Sequence, residues 1–262
     1  MFTQLLIVTA KKIMKALSDF RQIVEEYPNS IAVVDAGVSL SFSEFDTVSD
    51  ALACRLHEGR RENSNIVGYL GWVSATCIVA NMAVLKAGQC IVALDAENPP
   101  AVLRELIAHA DLSCLVVAPG YETLAAQVFD GPTIQVDFEQ RDRAAIAVFA
   151  AIETVPTAPA TITYTSGSTG KPKGAVNSRQ GLNNRRRRAV LASDLKQSDV
   201  IPSINPCRFP EQLAALSTGV RQECFDFRTD GRADRGRQRP ALGVPRGWDC
   251  VSPGSLQSGG SS

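Results

Sequence analysis

"TITYTSGSTGKPKG", residues 161–174, runs five β-branched or aromatic residues straight into a loop of serine, threonine, glycine and lysine. Such a run of β-formers predicts a strand over 161–165. The loop after it suits anions. Its glycines let successive backbone N–H groups converge on one oxygen, its hydroxyls add donors, and Lys171 and Lys173 add positive charge. Pro172 separates the two lysines and stiffens the exit. The spacing excludes a Walker A loop, because Thr165 stands where the first glycine is needed and Pro172 follows Lys171 in place of Ser or Thr.

Upstream, elements alternate. Ile13, Leu17, Phe20 and Val24 recur three or four apart, which predicts an amphipathic helix over 12–26. "IAVVD" (31–35) reads as a strand, and "SFSE" (41–44) as a capping box opening a helix that buries Phe45, Val48, Leu52 and Leu56. Three strands follow, "NIVGYLG" (65–71), "CIVALD" (90–95) and "SCLVVA" (113–118). Between them lie an almost wholly apolar helix (74–88) ended by Gly88 and a helix opened by Pro99-Pro100. A further helix within 121–129, a strand at 133–137 and an extended connector at 154–160 complete the pattern. Strands apolar on both faces that alternate with helices predict an α/β fold, a largely parallel sheet flanked by helices.

Composition narrows the function classes. With 27 basic and 27 acidic residues, no global field favours nucleic acid or an anionic membrane. "NNRRRRAVLA" (183–192) has no interleaved aromatics, so it reads as a solvated helix face with part of the run burying alkyl stems. "FTQLLIVTA" is too short to span a bilayer and lacks the flanks of a secretory signal. The seven cysteines form no C-x-x-C pair and lie mostly in apolar runs, as buried thiols of a cytoplasmic protein do. With two histidines, His57 and His109, neither a histidine zinc site nor a Ser-His-Asp triad is expected.

"YTSGSTGKPKGAV" (164–176) resembles the phosphate-loop signature of the adenylate-forming (AMP-dependent synthetase/ligase) superfamily. "LSFSEFD" (40–46) and "LKAGQCIVALDAENPPAVLREL" (85–106) resemble two upstream segments of that family, in the right order. The likeness covers about residues 16–205 and is closer to the adenylation domains of nonribosomal peptide synthetases than to fatty acyl-CoA synthetases. It implies the N-terminal part of an adenylation domain, in which a carboxylic or amino acid attacks the α-phosphate of ATP to give an acyl-adenylate and pyrophosphate. Thr165, Ser166, Gly167, Ser168, Thr169, Gly170, Lys171 and Lys173 would grip the β- and γ-phosphates, Lys173 foremost of the two lysines. Mg²⁺ would share that task, and a phosphopantetheine carrier protein or coenzyme A would accept the acyl group in the full-length enzyme. No metal ligand is assigned to the chain itself.

Departures from the family pattern concern the later part. Arg179 stands where the family has a histidine that helps shape the carboxylate pocket. After residue 174 there is no counterpart of the family's aromatic-Gly-x-Thr-Glu loop, ribose-binding aspartate or late catalytic lysine. Residues 231–262 hold only 8 hydrophobic residues in 32, with seven glycines and five arginines, and show no period; disorder is expected. The expected organisation is an N-terminal extension (1–15), the adenylation-domain part (16–205), an ambiguous stretch with one more helix and strand (206–230), and the tail (231–262). The sequence thus leads to a truncated or out-of-frame ligase fragment, inactive alone because no complete catalytic set is present. The alternatives are a non-catalytic nucleotide-binding or synthetase-docking pseudoenzyme, or half of a split enzyme.

Overall fold

The computed structural model describes residues 15–144, 146–165, 172–193, 199–203 and 216–224. Residues 1–14 of the expected extension, most of the helix expected at 210–219 and the tail from 231 lie outside them. Two sheets form where the sequence suggested one. The larger has six strands in the order β6-β5-β3-β4-β7-β8: β3 (Ile66–Leu70), β4 (Cys90–Leu94), β5 (Cys114–Val117), β6 (Thr133–Ile134), β7 (Pro159–Thr165) and β8 (Lys173–Ser178). All pairings are parallel except β7 with β8. The smaller sheet has the order β2-β1-β10-β9, from β1 (Ile31–Asp35), β2 (Val38–Ser41), β9 (Val200–Ser203) and β10 (Arg221–Cys224).

The helices are α1 (Lys15–Glu26), α2 (Phe42–Glu58), α3 (Ala75–Lys86), α4 (Pro100–Ala110), α5 (Glu122–Val128) and α6 (Arg179–Ser193). Helix α3 touches β1 of the small sheet and β3 and β4 of the large one. This dual contact explains its sequence, since a helix with sheets on two sides has no wet face and all twelve residues are buried. Side chains of the large sheet alternate between two cores. Val67, Tyr69, Ile91 and Val116 face the core shared with α2 and α3, while Leu70, Val92, Leu94 and Leu115 face the one under α4 and α5.

Local signals set most boundaries. Ser41 caps α2 reciprocally: its Oγ accepts from the Glu44 N–H at 3.2 Å, and Glu44 Oε2 accepts from the Ser41 N–H at 2.7 Å. The strand expected at 133–137 shortens to two residues, because its partner β5 ends at Val117, one residue past the Val116↔Ile134 pair. The strand expected to begin at Thr161 begins at Pro159.

The end of α3 is tied from several sides. Gly88, at φ +73°, lets the Gly88 N–H reach the Leu85 carbonyl and the Gln89 N–H the Val84 carbonyl, the Schellman arrangement. The Lys86 carbonyl accepts from the Ile152 N–H at 2.8 Å. The Lys86 ammonium is buried against α2, 2.6 Å from Asp46 Oδ1 and 2.7 Å from Asp50 Oδ1, and it donates to Ser49 Oγ at 2.8 Å. Arg143 closes the set from the other side. It meets Asp50 Oδ2 at 2.7 Å and also binds Asp46 Oδ2. Two cations and two carboxylates thus cancel in formal charge. Removing one partner would strand the others where water cannot compensate.

Lys86→Met is therefore expected to destabilise the fold by about 3–5 kcal/mol. Arg143→Met, at a side chain 30% exposed, should cost less. Urea denaturation of both variants checks the order, and equal losses would show that burial of the lysine is not what matters.

Candidate functional site

Strands β7 and β8 form an antiparallel hairpin whose last pairs are Tyr164↔Gly174 and Thr165↔Lys173. Because β7 runs parallel to β4, its end points the same way as the carboxyl ends of β3, β4 and β5. In parallel α/β sheets that is where ligands bind. Of the expected phosphate-binding residues, the structure places Thr165 and Lys173 directly opposite each other at the mouth of the hairpin. Lys173 is exposed there. Ser166, Gly167, Ser168, Thr169, Gly170 and Lys171 lie outside the described residues.

Tyr164 has a partner that the sequence did not suggest. Its hydroxyl lies 2.8 Å from Nδ1 of His109, in the last turn of α4, and the two rings meet edge to face with centroids 5.6 Å apart. Partial burial raises the pKa of the phenol, which keeps it protonated. Neither residue carries a motif that would have linked them, since 55 positions separate them.

Arg179, standing in place of the family's histidine, begins α6 just after β8. Its guanidinium is buried and turned into the protein. Nη1 donates to the Leu85 carbonyl at 2.9 Å and Nη2 to the Gln89 carbonyl at 2.5 Å. Burial lowers its pKa to about 10, opposed by the Cys90 thiol beside it, and burial pushes that thiol up to about 12. Arg179 is therefore a strut between α6 and the end of α3. In the arginine run, Arg187 and Arg188 are exposed, as expected of a solvated face, but Arg186 is buried. It donates to Ser217 Oγ at 2.9 Å and meets Asp19 Oδ2 at 3.0 Å, joining α6 to α1.

None of Cys77, Cys90 and Cys114, which are buried, or Cys54 and Cys224, which are half-buried, is joined in a disulfide. Among the described residues no three His, Cys, Asp or Glu side chains gather as a metal site, and no helix is long and apolar enough to cross a membrane.

The family model "AMP-binding enzyme" matches residues 20–223, most of the chain. The chain belongs to the AMP-binding enzyme family. Tyrocidine synthase 1 of Brevibacillus parabrevis is 30% identical over 166 residues, 63% of this chain and 15% of that protein. Cyclosporin synthetase simA of Tolypocladium inflatum is 28% identical over 216 residues, covering 80% and 1% respectively. Nonribosomal peptide synthetase kk1B of Curvularia clavata is 29% identical over 216 residues, covering 80% and 2%. This AMP-binding enzyme chain thus spans a small part of the curated relatives it matches. Among solved structures, VinN in complex with L-aspartate superposes with a TM-score of 0.70 at 24% identity, over 82% of this chain and 58% of VinN. The nonribosomal peptide synthetase FmoA3 in its AMPPNP-bound form gives 0.67 at 18% identity, over 80% and 22%. These likenesses establish the adenylation-domain fold.

Arg179→Met would remove the side-chain donors of the Leu85 carbonyl, which keeps the Gly88 N–H, and of the Gln89 carbonyl, and is expected to cost about 1–3 kcal/mol. Chemical denaturation reads the loss; a variant as stable as the parent would mean that Arg179 is not a strut.

Proposed function

We propose that this chain carries the phosphate-gripping part of an AMP-forming ligase that activates an amino or carboxylic acid. The observation that carries this reading is the β7–β8 hairpin, which presents Thr165 and Lys173 at the carboxyl end of a parallel sheet, at either end of a Ser/Thr/Gly loop. In the reaction, a substrate carboxylate attacks the α-phosphate of ATP, the bond to the β-phosphate breaks, and pyrophosphate leaves carrying the electron pair. The role of this chain's residues is to hold the β- and γ-phosphates. Thr165, Ser166, Ser168 and Thr169 would donate hydroxyls, Gly167 and Gly170 backbone N–H groups, and Lys171 and Lys173 charge. Such donors stabilise charge as it gathers on the leaving group. Mg²⁺ would arrive with the nucleotide as MgATP. An amino acid is the favoured substrate class, because the relatives named above include a nonribosomal peptide synthetase and VinN was solved with L-aspartate. A carrier protein's phosphopantetheine or coenzyme A would take the acyl group in a complete enzyme.

Arg179 favours a second reading, in which this chain binds nucleotide without catalysis. Its charge is directed to two backbone carbonyls, so it does not replace the family's histidine beside a substrate carboxylate. The two readings share the phosphate site and differ in turnover.

Titration of the full chain with MgATP, followed by calorimetry, should give saturable binding that Lys173→Ala weakens by about 10- to 100-fold, the loss of one charge-assisted contact. Absence of saturable binding would remove the phosphate-site reading. Exchange of labelled pyrophosphate into ATP that depends on an added amino acid would decide for a ligase; binding without exchange would decide for the non-catalytic protein.

A further inference from the structure

The outer half of the β7–β8 hairpin has few ties to the body of the protein. On its inner side, β7 pairs with β4 at Thr161↔Ile91 and Ile162↔Val92. Among the described residues, no ladder pair on that side involves Thr163, Tyr164 or Thr165. These three pair only with β8, which is itself the edge strand of the sheet. The first four residues of β8, Lys173 to Val176, are exposed. A hairpin end held only by its own ladder would twist and fray as two-stranded ribbons do.

The side chain of Tyr164 supplies the missing tie. One face of its ring covers Gly174, its cross-strand partner, where an added Cβ would come within 3.3 Å of the ring. The ring packs against the core under α4 and α5, and its hydroxyl reaches His109. His109 is well anchored, because Leu103, Leu106, Ile107 and Ala110 of the same helix are buried against the sheet. The tie therefore runs from a fixed helix, through the His109 imidazole and the Tyr164 ring, to the strand end next to Thr165 and Lys173.

We infer that His109 is a positioning residue: by holding Tyr164, it fixes the mouth of the β7–β8 hairpin and thereby the affinity of that mouth for the phosphates of a nucleotide. The inference rests on the phosphate-binding reading given above. His109 touches neither nucleotide nor reacting atoms. It acts through Tyr164.

Hydrogen–deuterium exchange on the full chain tests the tie without any ligand. His109→Ala and Tyr164→Phe are each expected to speed exchange of the hairpin amides (159–165 and 173–178) by about 5- to 10-fold, the effect of losing one hydrogen bond from a local opening unit. Exchange in α3 and α4 should stay unchanged, and His109→Gln, which keeps a hydrogen-bonding group, should recover most of the protection. MgATP affinity should fall in parallel in the first two variants and return in the third. Unchanged hairpin exchange in both His109→Ala and Tyr164→Phe would overturn the inference. So would a uniform rise over the whole chain, which would mark a general loss of stability. If the parent binds MgATP and loses it on Lys173→Ala, while His109→Ala and Tyr164→Phe bind like the parent, the positioning role fails and the phosphate site stands. If the parent binds no MgATP yet hairpin exchange responds as expected, the phosphate-binding reading fails and the tie between α4 and the hairpin stands.

Discussion

The Lys86 ammonium, buried between Asp46 and Asp50 of α2, ties α2 to α3, a helix that touches both sheets. A lone ammonium at that depth would be expelled or would unfold its surroundings, and two lone carboxylates would do the same. Together with Arg143 they form a closed set in which each charge has an opposite neighbour. Such sets add less net stability than their Coulomb attraction suggests, because desolvation offsets much of it. What they fix is geometry. Lys86 can satisfy Asp46, Ser49 and Asp50 at once only when the last turn of α3 lies against the second turn of α2. The Phe20 ring, 5.7 Å from the ammonium, brings α1 to the same point.

The backbone at this point is as fully engaged as the side chain. The Leu85 carbonyl serves the Gly88 turn and Arg179, Lys86 serves Ile152, and Val84 serves Gln89. The "LKAG" run is thereby explained residue by residue: a lysine for the buried carboxylates, a tightly packed alanine, and a glycine for positive φ beside Ile152, whose Cβ would lie 3.0 Å from an added methyl. A motif that marks an enzyme family is here a packing device that sets the platform from which the β7–β8 hairpin projects.

Legibility in the sequence followed the range of the interaction. The capping box at Ser41, the proline start of α4, the glycine end of α3 and the apolar runs of β3, β4 and β5 are local, and each could be read where it stands. The small sheet could not, because β1 pairs with β10, Val33 against Gln222, from opposite ends of the described chain. Strand β8, "KGAVNS", was missed for a different reason: an exposed edge strand has no buried face, so it carries no alternation to read. In the candidate site, the chemistry expected of the loop was legible because it is written in consecutive residues. Its supports were not. His109 and Tyr164 meet only when α4 has packed on the sheet, and nothing in the signature that Tyr164 opens points to His109.

Arg179 shows why position in a motif is weaker ground than contact. By its place in the motif it stands for a histidine at the substrate side, and by charge it could have been expected to attract a carboxylate. Its actual partners are two carbonyls at the end of α3, and satisfying them takes both terminal nitrogens of the guanidinium. A buried arginine can do this because its planar fork reaches two acceptors while its charge is offset by their dipoles. The same end of α3 is gripped by Lys86 through its side chain and by Arg179 through its carbonyls, so α2, α3 and α6 meet there as one unit. Strand β8 leads directly into α6, and this junction holds the base of the hairpin, at the opposite end from the mouth that Tyr164 and His109 tie. Thr165 and Lys173 therefore sit on a ribbon tied at both ends, which is what a binding site needs if its groups are to be in place before a ligand arrives.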